Sequence, residues 1–291
     1  DGTALIALDR HRRYEPAALR HRTNLTSSAG RLLEAWFDGS IEAIRIATDS
    51  PAVAYRSRSP TSPNQSVRPT ERNQLLQQSH VKAYDATFMA ESAAAAERNV
   101  ARVLPIVITE VGKLPSSVID VGCGPGGWVL ELVKAGVDAT GMDGAWAAPN
   151  LVIPQEHFIA WDLEQSLPRD RRYAMAVTIE TAEHLSPERG PGFVADLCAL
   201  SDVVLFSAAV PGQPGTHHVN LRWQTYWIDQ FQAVGFGVVD CIRPALWDVV
   251  PAVSWPLAQQ CFLFVKGAKP RLSLPANIVH PACYQEQAFP R

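Results

Sequence analysis

No apolar run among the 291 residues approaches the roughly 20 that a membrane-spanning helix requires, so no spanning segment is expected. Charge is scarce as well. Only 19% of the residues are Asp, Glu, Lys or Arg, and the net charge of −3 at pH 7 gives no general attraction to polyanions. Nucleic acid is therefore not an expected partner, and the basic cluster Arg10, Arg12, Arg13, Arg20 and Arg22, with His11 and His21, reads as a solvated face or a substrate or subunit contact. The five cysteines, Cys123, Cys198, Cys241, Cys261 and Cys283, lack any CxxC pair, which argues against a disulfide scaffold and against a thiolate zinc site. The beginning of the chain also lacks a basic region followed by an apolar leader, and a cytoplasmic location is expected.

What the chain does have is core material: 47% of it is hydrophobic, enough for one large domain with an appendage. The reading divides it into an N-terminal extension and linker at 1–70, a helical cap or buttress at 71–115, a catalytic domain at 116–267 and a C-terminal tail at 268–291. Apolar residues between Leu25 and Ile46 suit short helices, so the extension is expected to be helical. Prolines 60, 63 and 69 make residues 57–70 a loop. Across 71–112 the spacing predicts a helix pair, interrupted near Pro105, that buttresses the next domain or covers a substrate with Tyr84, Phe88 and Met89.

Beyond residue 116 the pattern alternates. Strands are predicted at 117–121, 137–142, 156–161, 173–179, 202–208, 236–242 and 260–266, and helices at 126–135, 188–199 and 222–234. Apolar runs such as Val203 to Phe206 fit strands covered on both faces, which makes this a doubly wound α/β sheet, Rossmann-like and mostly parallel.

The first of these strands runs into Gly122-Cys-Gly-Pro-Gly126. Without Cβ atoms, Gly122, Gly124 and Gly126 let the backbone turn sharply and approach a ligand, while the next helix offers unpaired N–H groups. Dinucleotide enzymes use a similar turn, so the downstream acids matter. Asp143, at the end of the second strand, can accept hydrogen bonds from both hydroxyls of an adenosine ribose; Asp162, after the third, can accept an adenine amino group or cap a turn, with Leu163 or Trp161 against the ring. Asp120 holds the turn or meets the cofactor through water, and Cys123 and Gly144 complete the cofactor-facing set.

The fourth strand leads into Thr178-Ile-Glu-Thr-Ala-Glu-His-Leu185. His184 there can act as a general base, oriented by Glu180 or Glu183, or simply begin a helix. After the fifth strand, Val210 to Leu221 forms a polar loop whose His217, His218 and Asn220 can contact an acceptor. Trp223, Tyr226 and Trp227 then follow at helical spacing, more as core anchors than as an aromatic cage.

Together, Val118 to Gly126, Asp143, Asp162-Leu163 and Thr178 to Leu185 resemble the class I S-adenosylmethionine-dependent methyltransferases over roughly residues 70–267. The resemblance implies a sheet ordered 3-2-1-4-5-7-6 with the last strand antiparallel, S-adenosylmethionine as cofactor and S-adenosylhomocysteine as product. It puts the glycines around the methionine part, Asp143 at the ribose, Asp162 and Leu163 at the adenine, and Ile179 or Glu180 at the active-site end. Catalytic candidates are His184, His218 and Glu180. The set Glu180, Glu183, His184 and His218 also resembles the metal site of small-RNA 2′-O-methyltransferases and of certain quinone-biosynthesis O-methyltransferases, which leaves a divalent metal open. The expected reaction is methyl transfer to an oxygen of a small, natural-product or sugar-like molecule. Transfer to nitrogen or carbon, and a non-catalytic partner-binding subunit, remain the alternatives, and a homodimer is left open as the assembly.

Overall fold

The computed structural model describes residues 86–288 and three short strands before them. Residues 1–65 and 66–291 make up separate compact units. In the first, β1 (Thr23–Thr26), β2 (Leu32–Ala35) and β3 (Ile44–Ile46) form an antiparallel sheet in that order. The helical extension is thus corrected: Thr23, Thr26, Ile44 and Ile46 are β-branched and favour strands instead. The basic cluster at 10–22 and the loop at 57–70 lie outside the described residues.

In the second unit the helix pair expected over 71–112 is one helix where it is described, α1 (Ala86–Val111), and it runs through Pro105. Its buried stripe, Met89, Ala96, Val100, Val103 and Val107, recurs every three, four or seven positions, and tertiary packing along it outweighs the proline's local penalty. Met89 is buried on that stripe. Tyr84 lies outside the described residues, as does the side chain of Phe88.

A seven-stranded sheet follows: β4 (Ser117–Val121), β5 (Asp138–Asp143), β6 (Phe158–Ala160), β7 (Met175–Ile179), β8 (Val203–Ser207), β9 (Phe236–Val239) and β10 (Phe262–Lys266). Its order is β6-β5-β4-β7-β8-β10-β9, with β10 antiparallel to both neighbours, as the resemblance implies. Connections are made by α2 (Gly127–Lys134), α3 (Gly190–Leu200), α4 (Gln224–Ala233), and two short helices between β9 and β10, α5 (Ile242–Leu246) and α6 (Trp255–Gln260). Alternation along the strands explains why both faces are covered. Ile119, Ala176, Val204, Phe206 and Phe264 join the layer of α3 and α4, while Val118, Val177, Leu205 and Leu263 join that of α1, α2, α5 and α6.

The C-terminal segment is more than a surface tail. Arg271 pairs with Val239, and α7 (Pro281–Ala288) buries Cys283. Between them, the wholly buried Arg243 donates to the carbonyls of Pro275 and Ala276, both at 3.1 Å. No helix of the described residues is long and apolar enough to cross a membrane.

Candidate active site

From β4 the chain crosses to β5 on one side and later to β7 on the other, which opens a crevice at the carboxyl end of β4. The glycine turn sits there. Gly122, Gly124 and Gly126 have φ of +83°, +54° and +86°, the left-handed region that side chains disfavour. Their surroundings differ: a Cβ on Gly122 would collide with Thr181 and one on Gly126 with Ile153, whereas nothing lies within 4 Å of a Cβ on Gly124. Gly124 is the turn's open edge.

Asp143 closes the turn from β5. One carboxylate oxygen accepts the Gly124 N–H at 2.8 Å and the other the Gly144 N–H at 2.7 Å, so in this state its oxygens organise backbone around the crevice. Burial pushes Asp143 up to about 6, with those two hydrogen bonds opposing; burial and the nearby Asp143 push Asp120 up to about 8. Two desolvated acids thus face each other across the turn, an arrangement that favours a cationic ligand. Cys123 contributes backbone only. Its thiol packs against Gly141, and burial raises its pKa well above the ordinary range. Asp162 is exposed and accepts the Glu164 N–H at 3.1 Å, the turn-forming role, while Leu163 is buried beside it. Ile179, half-buried, ends β7.

The loop after β7 is a single 3₁₀ turn, Ala182–His184, and the loop after β8 folds onto it. Val219 and Asn220 donate their N–H groups to the Glu183 carbonyl at 2.9 and 3.0 Å, which brings His218 beside His184 with ring centroids 5.0 Å apart. Asn220 is buried and used up structurally, its amide donating to Ala182 O and its side-chain oxygen accepting from Arg222, so it is not an acceptor contact. His217 is exposed, and its carbonyl lies 3.3 Å from His184 Nδ1. Trp227 is a core residue, but Trp223 is 42% exposed.

Glu180 does not orient His184. Its carboxylate accepts hydrogen bonds from Ser207, Gln213 and Gln260. Glu183 is wholly buried, and neither of its oxygens makes a hydrogen bond of good geometry, although the Ala209 backbone and the Glu180 carboxyl are close. Burial and the neighbouring Glu180 hold the Glu183 carboxyl well above the usual range. Burial lowers the His218 pKa and keeps the imidazole neutral, and its Nδ1 is also buried without a hydrogen-bond partner. Among the described residues, Glu183, His184 and His218 each place a potential ligand atom within 4.8 Å of the others. One carboxyl and two imidazoles gathered this closely suit a divalent cation such as Mg²⁺, Mn²⁺ or Zn²⁺. The glutamines around Glu180 escaped sequence reasoning; the one visible signal was Gln259-Gln260 set directly before an apolar strand.

Residues 87–240, more than half of the chain, match the sequence model of a methyltransferase domain. The chain belongs to that family. With its seven-stranded order, this methyltransferase has the class I, S-adenosylmethionine-dependent fold. Among solved structures it is similar to the 1,6-didemethyltoxoflavin N1-methyltransferase of Burkholderia thailandensis, determined with 1,6-didemethyltoxoflavin and S-adenosylhomocysteine bound, at 19% identity and TM-score 0.47, covering 85% of this chain and 99% of that one. DesVI of Streptomyces venezuelae is 14% identical at TM-score 0.43, covering 69% and 100%. The methyltransferase domain of a bacterial CtHen1-C is 21% identical at TM-score 0.44, covering 59% and 98%. No curated protein matches the chain.

Proposed function

We propose that this methyltransferase transfers the methyl group of S-adenosylmethionine to a hydroxyl oxygen of a small organic acceptor, with a divalent cation held by Glu183, His184 and His218. The observation that carries this reading is the wholly buried Glu183 carboxyl gathered with two imidazoles, one potential ligand atom of each within 4.8 Å of the others. A buried carboxylate is costly, and a cation offsets the cost. Such a cation would position a hydroxyl and lower its pKa.

The chain's own residues do the rest. The glycine turn admits the methionine part, Asp143 serves the ribose through the lone pairs its two backbone bonds leave unused, and Asp120 faces the cofactor's ammonium. As the acceptor oxygen forms its bond to the methyl carbon, the carbon–sulfur bond breaks, its electron pair stays on sulfur, and S-adenosylhomocysteine departs as a neutral thioether. The hydroxyl proton passes to solvent or to a neutral imidazole, and His218, which burial favours in its neutral form, is available to take it if no cation is bound. Val219 and Trp223, exposed on the segment that carries His218, suit a partly apolar acceptor.

The test is metal content and methyl transfer on chelator-treated and reconstituted protein, with isotopically labelled cofactor to locate the methyl in the product. Activity restored by a divalent ion and label on oxygen is the expected result. Full activity in metal-free protein would leave acid–base transfer by His218, and label on nitrogen or carbon would overturn the oxygen assignment.

A further inference from the structure

We propose that Gln213 and Gln260 are positioning residues that hold Glu180 away from the Glu183, His184 and His218 cluster, so that a cation there meets three protein ligands and keeps open positions for the acceptor. The proposal rests on the cation reading above.

Three buried glutamines, Gln213, Gln259 and Gln260, stand behind the site. Buried amides are uncommon because each must satisfy both donors and acceptor, and here the satisfaction has a direction. It begins at the C-terminal segment, where the His280 backbone N–H, which can only donate, donates to Gln259 Oε1 at 2.8 Å. That fixes Gln259 Nε2 as the next donor, to Gln260 Oε1 and to Gln213 Oε1. With their oxygens engaged, Gln260 and Gln213 must present their own NH₂ groups inward. Gln260 Nε2 reaches Glu180 Oε1 and Oε2 at 2.8 and 2.9 Å, and Gln213 Nε2 reaches Oε2 at 2.6 Å. Ser207 completes the clasp, its Oγ–H donating to Oε1 at 2.7 Å.

Gln213 and Gln260 therefore point their NH₂ groups at one carboxyl, and Gln259 fixes the direction of both. The backbone cooperates: Glu180 sits at φ +53°, a left-handed conformation uncommon for a side-chain-bearing residue and typical of positions the surroundings over-determine. The result is geometric. Glu180 lies three residues before Glu183 and next to its carboxyl, yet it is not among the groups whose ligand atoms fall within 4.8 Å of one another. Three protein ligands with a vacant position are what a site that must also take substrate requires; a further carboxylate would compete with the acceptor.

The experiment is titration of the full chain with Mn²⁺ by calorimetry, on wild type and on Glu180→Gln, Glu183→Gln, Gln260→Leu and the double variant Glu180→Gln/Gln260→Leu, each checked for a folded melt. Glu183→Gln should weaken binding by about 10-fold to 100-fold, while Glu180→Gln changes it by less than about 3-fold. Gln260→Leu releases Glu180 and should tighten Mn²⁺ by about 10-fold, a gain the double variant erases. If Glu180→Gln loses binding as Glu183→Gln does, Glu180 is a ligand and the proposal is wrong. Should Gln260→Leu not fold, the comparison of the two glutamate variants decides alone. A wild-type protein that takes up no Mn²⁺ overturns the cation reading itself, a result distinct from equal losses in the two variants.

Discussion

Asp143 holds two backbone N–H groups with one carboxylate and, in the proposed reading, serves the ribose as well; its substitution separates the two roles. Asp143→Ala removes the acceptor of the Gly124 and Gly144 N–H groups as well as the proposed ribose contact, so S-adenosylhomocysteine affinity should fall by about 2–3 kcal/mol, on the order of 100-fold, with a smaller loss in melting temperature. Asp143→Asn, which keeps one oxygen acceptor, should fall between the two; calorimetry alongside thermal melts reads both quantities. The glycines divide in the same manner. Gly122→Ala combines φ +83° with a collision against Thr181 and should lower the melting temperature by several degrees, whereas Gly124→Val, at φ +54° with open space around it, should cost the fold only about 1–2 kcal/mol while abolishing cofactor binding. Equal affinity of Gly124→Val and wild type would remove the turn from the cofactor site. The need for glycine was readable from the motif, because a glycine-rich turn after a β-branched strand has a local cause. Which glycine is packed against protein and which is open was not, since that depends on Thr181 and Ile153, far along the chain.

At the scale of elements, most strands of the large sheet, β4, β7, β8, β9 and β10, were legible because they are short, largely apolar and mostly buried runs, and the helices α2, α3 and α4 because each carries an amphipathic period. The helices α5 and α6 are too short to show one. Residues 268–291 look like a tail, with four prolines and no period, yet their order comes from a distant partner. Arg243 bonds Asp240 at 2.6 Å with both side chains 0% exposed, Asp240 accepts the Ser273 and Leu274 N–H groups, and the guanidinium lies 4.2 Å over the Phe262 ring. An arginine so buried was invisible to periodicity, which treats charge as surface. Arg243→Ala strands Asp240 without its counter-charge and should cost about 3–5 kcal/mol in denaturant melts. Because the same segment carries the His280 N–H that orients Gln259, hydrogen exchange should rise over 272–283 and the amides around Glu180 should lose their common direction. Protection of 272–283 unchanged from wild type would show that the segment is held by other contacts.

The whole molecule is built so that its own sheet edge is under electrostatic load until the cofactor arrives. Asp120 and Asp143, brought to adjacent strand ends by the β4–β5 pairing, have folded pKa values of about 8 and about 6 against an ordinary 3.8, chiefly because burial disfavours the charge. The native state therefore keeps protons that the unfolded chain has released. Stability from these two groups is complete below pH 3.8 and is lost as pH rises through about 6 and then about 8. A ligand bearing an ammonium, and a sulfonium besides, favours the ionised form, so binding near neutral pH expels protons and affinity should climb between pH 6 and 8. Calorimetry at pH 6, 7 and 8, in two buffers of different protonation enthalpy, measures both the climb and the proton count. S-adenosylmethionine should show the steeper dependence than S-adenosylhomocysteine, since only the former carries the sulfonium charge. Affinities flat across that range, with no protons released, would mean that the two acids do not meet the cofactor's positive groups.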